Sequence, residues 1–195
     1  MSAHIRPALV MIVLFTILTG LIYPLAITGV AKVALPYQAN GSLVRRPDGD
    51  VIGSNLIAQA FAKPEYLHPR GSSAGNGYDA TASSGSNLGP MDKKLADRIA
   101  ADAAALKKEA PGAPIPADAV TQSGSGLDPD VSPENAARQA SRIAQARGVS
   151  APEVQAIIDR STQRPALGFI GQPHVNVLAV NRVLDAQYPL HPARS

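Results

Sequence analysis

Two glycine-rich loops carry the serine residues that are best placed for chemistry. The stretch "DATASSGSNLGP", from Asp79 to Pro90, returns further along the chain as "DAVTQSGSGLDP", from Asp118 to Pro129. Serine hydroxyls and bare backbone amides in such turns can bind an anion or a partner loop. Glycine can equally permit the turn while serine satisfies its amides, and the sequence favours this structural interpretation. The serines concerned are Ser84, Ser86, Ser123 and Ser125.

A serine nucleophile needs a neighbouring base, and the chain offers few of them. Neither G-x-S-x-G nor S-x-x-K occurs, and the histidines are His4, His68, His174 and His191. A lone histidine such as His68 is typical of a structural position. We therefore expect no catalytic residue, and a membrane-anchored serine hydrolase is kept as an alternative class of function.

Other chemistry is restricted by what the sequence lacks. The absence of cysteine excludes thiolate nucleophiles, disulfides and cysteine metal sites. No two histidines or carboxylates share a helix face at ligand spacing, so we expect no metal site. No P-loop or Rossmann spacing is present, which argues against a nucleotide fold of its own. The formal charge of +3 is spread without a basic stripe, and nucleic acid is not expected as a partner.

The segment from Ala8 to Ala31 has no charged residue and is a candidate anchor for the rest of the chain. As a helix it would span about 36 Å, which is enough to cross a bilayer. A signal peptide has a shorter apolar core and an A-x-A-like cleavage site, so an uncleaved anchor is favoured. Pro24 should kink this helix after Tyr23. The predicted organisation is an N-terminal tail (1–7), a transmembrane helix (8–31) and an extramembrane domain (32–195).

Charge gives a weak indication of orientation. Arg6 precedes the span, whereas Lys32, Arg45 and Arg46 follow it, so a literal positive-inside count places the long segment in the cytoplasm. The side of the membrane is therefore left open by the residues themselves.

The extramembrane sequence predicts an α+β domain with a small sheet and several helices. "SLVRRPDGDVIGS" predicts a hairpin in which Gly49 takes positive φ. One helix should start at Pro90 and carry an apolar stripe of Leu95, Ile99, Ala103 and Leu106. A second has Ser132 as N-cap and Gly148 as C-cap, and a third opens with the capping box of Ser150 and Glu153. A last helix after Pro173 carries Val177, Val180, Leu184 and Tyr188, and "LGFIGQP" before it predicts a short strand or an extended crossover.

The repeated loops are expected to be structural equivalents. Each copy ends in a proline ahead of a predicted helix, and we expect Leu88 and Leu127 to point into one core. A positive φ at Gly85 and Gly124 would make valine destabilising at both positions.

Longer segments resemble a known family. "YPLAITGVAKV", "PYQANGSL", "GSNLIAQAF", "HPRGSSAGNGYDATASSGSNLGP", "DAVTQSGSGLDPDVSPENAARQASRIAQARG" and "GQPHVNVLAVNRVLD" are similar to the potassium-transporting ATPase C subunit, the KdpC family. The segments fall in the order of the family, and the doubled Ser-Gly-Ser loop is part of its pattern. The likeness covers nearly the whole chain, except for a short tail after Leu184.

This resemblance implies a non-catalytic accessory subunit in the bacterial inner membrane, with a cytoplasmic N-terminus and a periplasmic main domain. Its partners would be a channel-like potassium-binding subunit, a P-type ATPase subunit, a small membrane peptide and the lipid bilayer. The family is described as assembling the complex and as a catalytic chaperone that raises the ATP affinity of the ATPase subunit. The chain would have no cofactor of its own, and ATP would be shared with the ATPase subunit.

The ATP role is attached to a glutamine that matches Gln139 here. A glutamine on an alanine-rich helix is typically a solvated surface residue, so the sequence gives this assignment little support. Cytosolic ATP also cannot reach a periplasmic domain. We therefore favour an assembly role with capping of the potassium entrance, and a generic tethered periplasmic binding domain is kept as a further alternative.

Overall fold

The computed structural model describes residues 2–190, so His191 lies outside the described residues. The chain divides into two units, Met1–Ser54 and Asn55–Ser195, here called the N-terminal and the C-terminal unit. The mixture of helices with small sheets confirms the predicted α+β class. The predicted domain boundaries stay a prediction.

The N-terminal unit begins with a long apolar helix. Its parts are α1 (Ser2–Ile17), a π-helical turn (Leu18–Ile22) and α2 (Tyr23–Ala34). Residues His4–Ala34 are long and apolar enough to cross a membrane, with a mean hydropathy of 2.4 and none of the apolar window buried. The π-helical turn ends at Ile22, one residue before the Tyr23–Pro24 step at which the sequence predicts a kink. Pro24 has no N–H to continue the regular hydrogen-bond ladder, and Tyr23 N donates instead to Leu18 O.

A short helix, α3 (Pro36–Ala39), leads to the predicted hairpin, which is confirmed. Strands β1 (Leu43–Arg45) and β2 (Val51–Ser54) pair antiparallel, with a register shift between Val44 and Arg45. Gly49 has a φ of 95°, and its N–H donates to Arg46 O at 2.9 Å. The turn chemistry of Pro-Asp-Gly therefore acts as expected.

Apart from Leu67, the core of the C-terminal unit comes from residues 131–184. Helices α6 (Pro133–Arg147), α7 (Ala151–Ser161) and α8 (Val177–Gln187) pack around a sheet of β3 (Asp130–Val131), β5 (His174–Asn176) and β4 (Thr162–Gln163), in that order. Both strand pairs are antiparallel. The buried cluster consists of Leu67, Val131, Ala136, Ala140, Ile143, Ala144, Val154, Ile157, Ile158, Val175, Val177, Val180 and Leu184.

Helix ends in this unit follow the capping rules read from the sequence. Ser132 Oγ accepts from Asn135 N at 3.1 Å, and Gly148 has the left-handed φ of 68° that ends α6. The capping box of α7 is present, with Ser150 N donating to Glu153 Oε2 at 2.8 Å. These helix boundaries are confirmed because they depend on local chemistry.

Other predicted boundaries are wrong. Helix α4 (Lys93–Glu109) begins after Asp92, whose carboxylate accepts from Lys94 N at 2.8 Å, and not at Pro90. A helical turn, α5 (Ala117–Val120), overlaps the start of the second loop copy, and strand β3 (Asp130–Val131) lies between that copy and α6. Helix α8 starts only at Val177, because residues 174–176 form the central strand of the sheet. Its C-cap is Tyr188.

The stretch "LGFIGQP" is neither a strand nor an extended crossover. Ala166 and Ile170 form an isolated antiparallel bridge that closes a tight turn. Leu167 and Gly168 occupy this turn with φ values of 53° and 83°. The prediction failed because two consecutive left-handed residues reverse the chain there.

Candidate functional site

Gln139 is buried, contrary to the expectation of a solvated surface residue. It is 2% exposed on α6 and faces an irregular segment, residues 63–70, which we call the strap. Its Oε1 accepts from His68 N at 2.9 Å, and its Nε2 donates to His68 O at 3.2 Å. The side-chain amide therefore forms with the backbone N–H and C=O of His68 the two hydrogen bonds that a neighbouring β-strand would form. The sequence could not show this, because the strap lies 71 residues away.

A second amide does the same on the next peptide of the strap. Asn181 of α8 is 1% exposed; its Oδ1 accepts from Leu67 N at 2.7 Å and its Nδ2 donates to Leu67 O at 2.9 Å. Sequence reasoning missed this residue. The available signal was a polar side chain on the apolar face that carries Val177, Val180 and Leu184, since a buried amide requires partners.

Two arginines of α6 complete the attachment of the strap. Arg142 Nη1 donates to Pro64 O at 2.5 Å and to Tyr66 O at 3.1 Å. The side chain of Arg147 is fully buried; its Nε donates to Glu65 O at 2.7 Å, and its Nη2 pairs with Asp185 Oδ1 at 2.8 Å. Each carbonyl from Pro64 to His68 thus accepts a hydrogen bond from a side chain of α6 or α8. Side chains replace the secondary structure that the strap lacks.

A small polar cleft of about 170 Å³ lies beside Gln139, and we call it the arginine cleft. Glu109 of α4 pairs here with Arg138 at 3.1 Å and with Arg142 at 2.9 Å. Burial lowers the pKa of His68, whose Nε2 lies 2.9 Å from Lys63 O. A lowered pKa favours the neutral imidazole at pH 7. Both arginines of this cleft thus share the single carboxylate of Glu109.

A larger open cleft of about 540 Å³ is lined by carboxylates, and we call it the acidic cleft. Asp118 accepts from Ser132 N at 2.9 Å and from Asn135 Nδ2 at 3.0 Å. Burial raises the pKa of Asp118, but these hydrogen bonds outweigh it and hold that pKa below its usual value. Asp128 pairs with Arg70 at 2.9 Å. Within residues 2–190 no group of three or more histidines and carboxylates could hold a metal ion.

The hydroxyls of Ser84, Ser123 and Ser125 in the doubled loop form their hydrogen bonds within the two copies. Ser123 Oγ accepts from Ser125 N at 3.2 Å and from Gly126 N at 3.1 Å. The first copy packs against the second, with Ser83 Oγ donating to Ser125 O at 2.8 Å. The hydroxyl of Ser84 donates to Gly85 O at 3.0 Å. These contacts support the structural interpretation of Ser84, Ser123 and Ser125, while Ser86 is half-buried.

The two copies are equivalent only around their centres. Asn87 and Gly126 hold the same place in the repeat, and both are left-handed, with φ values of 52° and 68°. Asp79 accepts from Thr81 N in a local turn, whereas Asp118 binds the start of α6. The expectation of one shared core is wrong. Leu127 is 7% exposed, Leu88 is half-buried, and neither belongs to the buried cluster.

The expected positive φ at Gly85 and Gly124 is also wrong. A side chain is excluded at Gly85 for a different reason, because a Cβ there would lie 2.8 Å from Gly124 O. A Cβ at Gly124 would meet nothing within 4 Å. The position that demands glycine is Gly126, where a Cβ would lie 2.6 Å from Ser84 O and 2.7 Å from Ala74 N.

The described histidines do not form a catalytic pair with a serine. His68 Nε2 contacts Lys63 O, His174 Nδ1 contacts Gln172 O at 3.0 Å, and His174 Nε2 lies 3.9 Å from Asp130 Oδ2. Of these partners none is a serine hydroxyl, so the hydrolase alternative gains no support from the described part of the chain.

Comparison with known proteins agrees with the resemblance seen in the sequence. The family model described as "KdpC: K+-transporting ATPase, c chain" matches residues 5–186. A "Potassium-transporting ATPase KdpC subunit" of Caulobacter vibrioides is 65% identical over 97% of this chain and 96% of its own length. Proteins of the same name are 64% identical in Caulobacter sp. (98% and 97% covered) and 57% identical in Beijerinckia indica subsp. indica (97% and 97%). Because the match covers almost the entire length at this identity, the chain belongs to the KdpC family of potassium-transporting ATPase subunits.

Proposed function

We propose that this chain is a non-catalytic accessory subunit that assembles and stabilises the potassium-transporting ATPase in the bacterial inner membrane. Its partners in this proposal are a channel-like potassium-binding subunit, a P-type ATPase subunit and a small membrane peptide. The observation that carries the proposal is the apolar helix His4–Ala34, of which the apolar window is 0% buried. Such a surface needs lipid or other membrane helices around it. Small residues such as Thr16 and Gly20 permit close helix packing.

Co-purification tests this proposal. The full chain, tagged and expressed with its partner subunits, should recover the ATPase and channel-like subunits from detergent-solubilised membranes. A matched control replaces Ala8 to Ala31 with a polyleucine span of equal length, which keeps the anchor but removes the small residues. We expect at least tenfold lower recovery with this control. Recovery of the unaltered chain as a lone monomer, with partners present in the same membrane, would contradict the assembly role.

We also propose that the C-terminal unit lies on the periplasmic side and caps the potassium entrance, with the N-terminus in the cytoplasm. The family resemblance supports this orientation, and Lys32, Arg45 and Arg46 argue mildly against it. Single cysteines at Met91, which is 95% exposed, and at the exposed Ser141 can report the side in this cysteine-free chain. A thiol reagent that cannot cross the inner membrane should label both in intact cells. Labelling only after lysis would place the unit in the cytoplasm and reject entrance capping.

The effect on ATP affinity is proposed to reach the ATPase subunit by coupling through the complex. The family description assigns an ATP contact to Gln139, whose amide is occupied by His68, Asn135 and Arg142. Because Gln139 is buried and its amide is already hydrogen-bonded, it is better placed to hold the strap than to contact a ligand. Coupling between distinct sites changes affinity without direct contact.

A further inference from the structure

A tight turn of the C-terminal unit displays large apolar side chains to solvent. Its residues, Ala166–Ile170, are here called the apolar turn. Leu167 is 83% exposed, Phe169 is 77% exposed and Ile170 is 55% exposed. The chain has only three phenylalanines. Phe15 belongs to the apolar helix and Phe61 packs against the buried cluster, so Phe169 alone is displayed outside both.

The apolar turn is held in one backbone conformation. Ala166 N donates to Ile170 O at 3.0 Å, and Ile170 N donates back to Ala166 O at 2.9 Å. Gly168 N donates to Pro165 O at 3.0 Å. Leu167 has a φ of 53°, a left-handed conformation that a branched side chain rarely adopts. Backbone strain of this kind often marks a functional position, and a preformed turn lowers the entropy lost on binding.

Charge next to the turn indicates the chemistry of its partner. Arg160 and Arg164 are exposed and make no ion pair within the described residues. The carboxylate of Asp159, beside Arg160, accepts from Gln155 Nε2 at 2.7 Å. An anionic lipid surface is recognised by clusters of several basic residues. Arg164, two residues before the apolar turn, is a single cation and fits a discrete carboxylate on a protein surface better than an anionic lipid surface.

We propose that the apolar turn docks into an apolar recess bordered by a carboxylate on another chain of the potassium-transporting ATPase. This proposal rests on the assembly function and names the surface that would carry it. Phe169 and Leu167 fill the recess, and Arg164 pairs with the carboxylate at its edge. Buried aromatic side chains with a charged rim are typical of the energetic centre of an interface.

Variants of the full chain, expressed with the partner subunits, test this surface. Leu167→Gly removes the side chain while favouring the observed left-handed φ, so the fold should be retained. Phe169→Asp places a charge in the recess. We expect at least tenfold lower recovery of the partner subunits with either variant, and an unchanged thermal midpoint for Leu167→Gly. Met91→Asp, the same kind of change at an apolar residue that is 95% exposed, should recover the partners as the unaltered chain does.

The outcomes separate this proposal from the function on which it rests. If the unaltered chain recovers no partner, the assembly function fails. If it recovers the partners and Leu167→Gly and Phe169→Asp do so equally well, only the docking surface is overturned. A photocrosslinking amino acid at position 169 should attach to a partner subunit. Attachment to lipid alone, or to a second copy of this chain, would overturn the proposal.

Discussion

Alanine at position 126 is expected to lower the free energy of unfolding of the C-terminal unit by about 3 kcal/mol or more. Gly126 has a φ of 68°, and a Cβ there would lie 2.6 to 2.8 Å from three atoms of Ser84 and Ala74. Two of these atoms belong to the backbone, so no side-chain rotation relieves the contact. Denaturant unfolding of the full chain, followed by circular dichroism, measures the effect.

Gly124 provides a matched control in the same loop. A Cβ at Gly124 meets nothing within 4 Å and its φ is not positive. Gly124→Ala should therefore be neutral or stabilise by about 0.4–1 kcal/mol, since it reduces the entropy of the unfolded chain. Gly85→Ala should destabilise, because its Cβ would lie 2.8 Å from Gly124 O. Equal effects of alanine at 124 and 126 would contradict the observed packing of the two loops.

Replacing Gln139 or Asn181, whose side-chain amides hold the strap, should lower the free energy of unfolding by about 2–3 kcal/mol. Gln139→Ala leaves the N–H and C=O of His68 without their side-chain partner, and Asn181→Ala does the same to Leu67. Buried backbone groups without partners are expensive. Gln145→Ala, on the exposed face of the same α6, is the control and should change stability little.

The same pair of variants distinguishes two routes to ATP. If the strap transmits an effect to the ATPase subunit, Gln139→Ala and Asn181→Ala should change the KM for ATP of the assembled complex alike. If only Gln139→Ala changes it, direct contact with Gln139 gains support and the coupling proposal fails. If neither changes it, the strap has no part in ATP affinity.

Features that depend on neighbouring residues could be predicted from the sequence. Examples are the N-cap Ser132, the C-cap Gly148 and the hairpin turn at Gly49. Each of these residues pairs a backbone N–H or reverses the chain within a few residues of its own position. The helix over the apolar segment could also be predicted, because a long run of apolar residues is typical of a membrane-spanning helix.

Features that depend on residues far apart in the chain could not be predicted from the sequence. Burial of Gln139 follows from the path of the strap, which has no regular structure and leaves no periodic pattern in the sequence. Strand β3 has only two residues and exists because β5 offers it partners. The turn at Leu167 was missed since a leucine with positive φ contradicts its own preference. Rules that use only neighbouring residues predict neither the pairing of distant segments nor a strained backbone conformation.

The strap also has a consequence for the order in which the chain is made. Leu67 and Asn181 are 114 residues apart, so at ordinary rates of translation about 6–23 s separate their synthesis. Until α6 has been made the carbonyls of the strap have only water as partner, and the carbonyl of Leu67 must wait for Asn181 of α8. The newly made strap and loops are then open to proteases and to wrong contacts. The attachment of the strap can therefore be completed only after the last helix, α8, has been made.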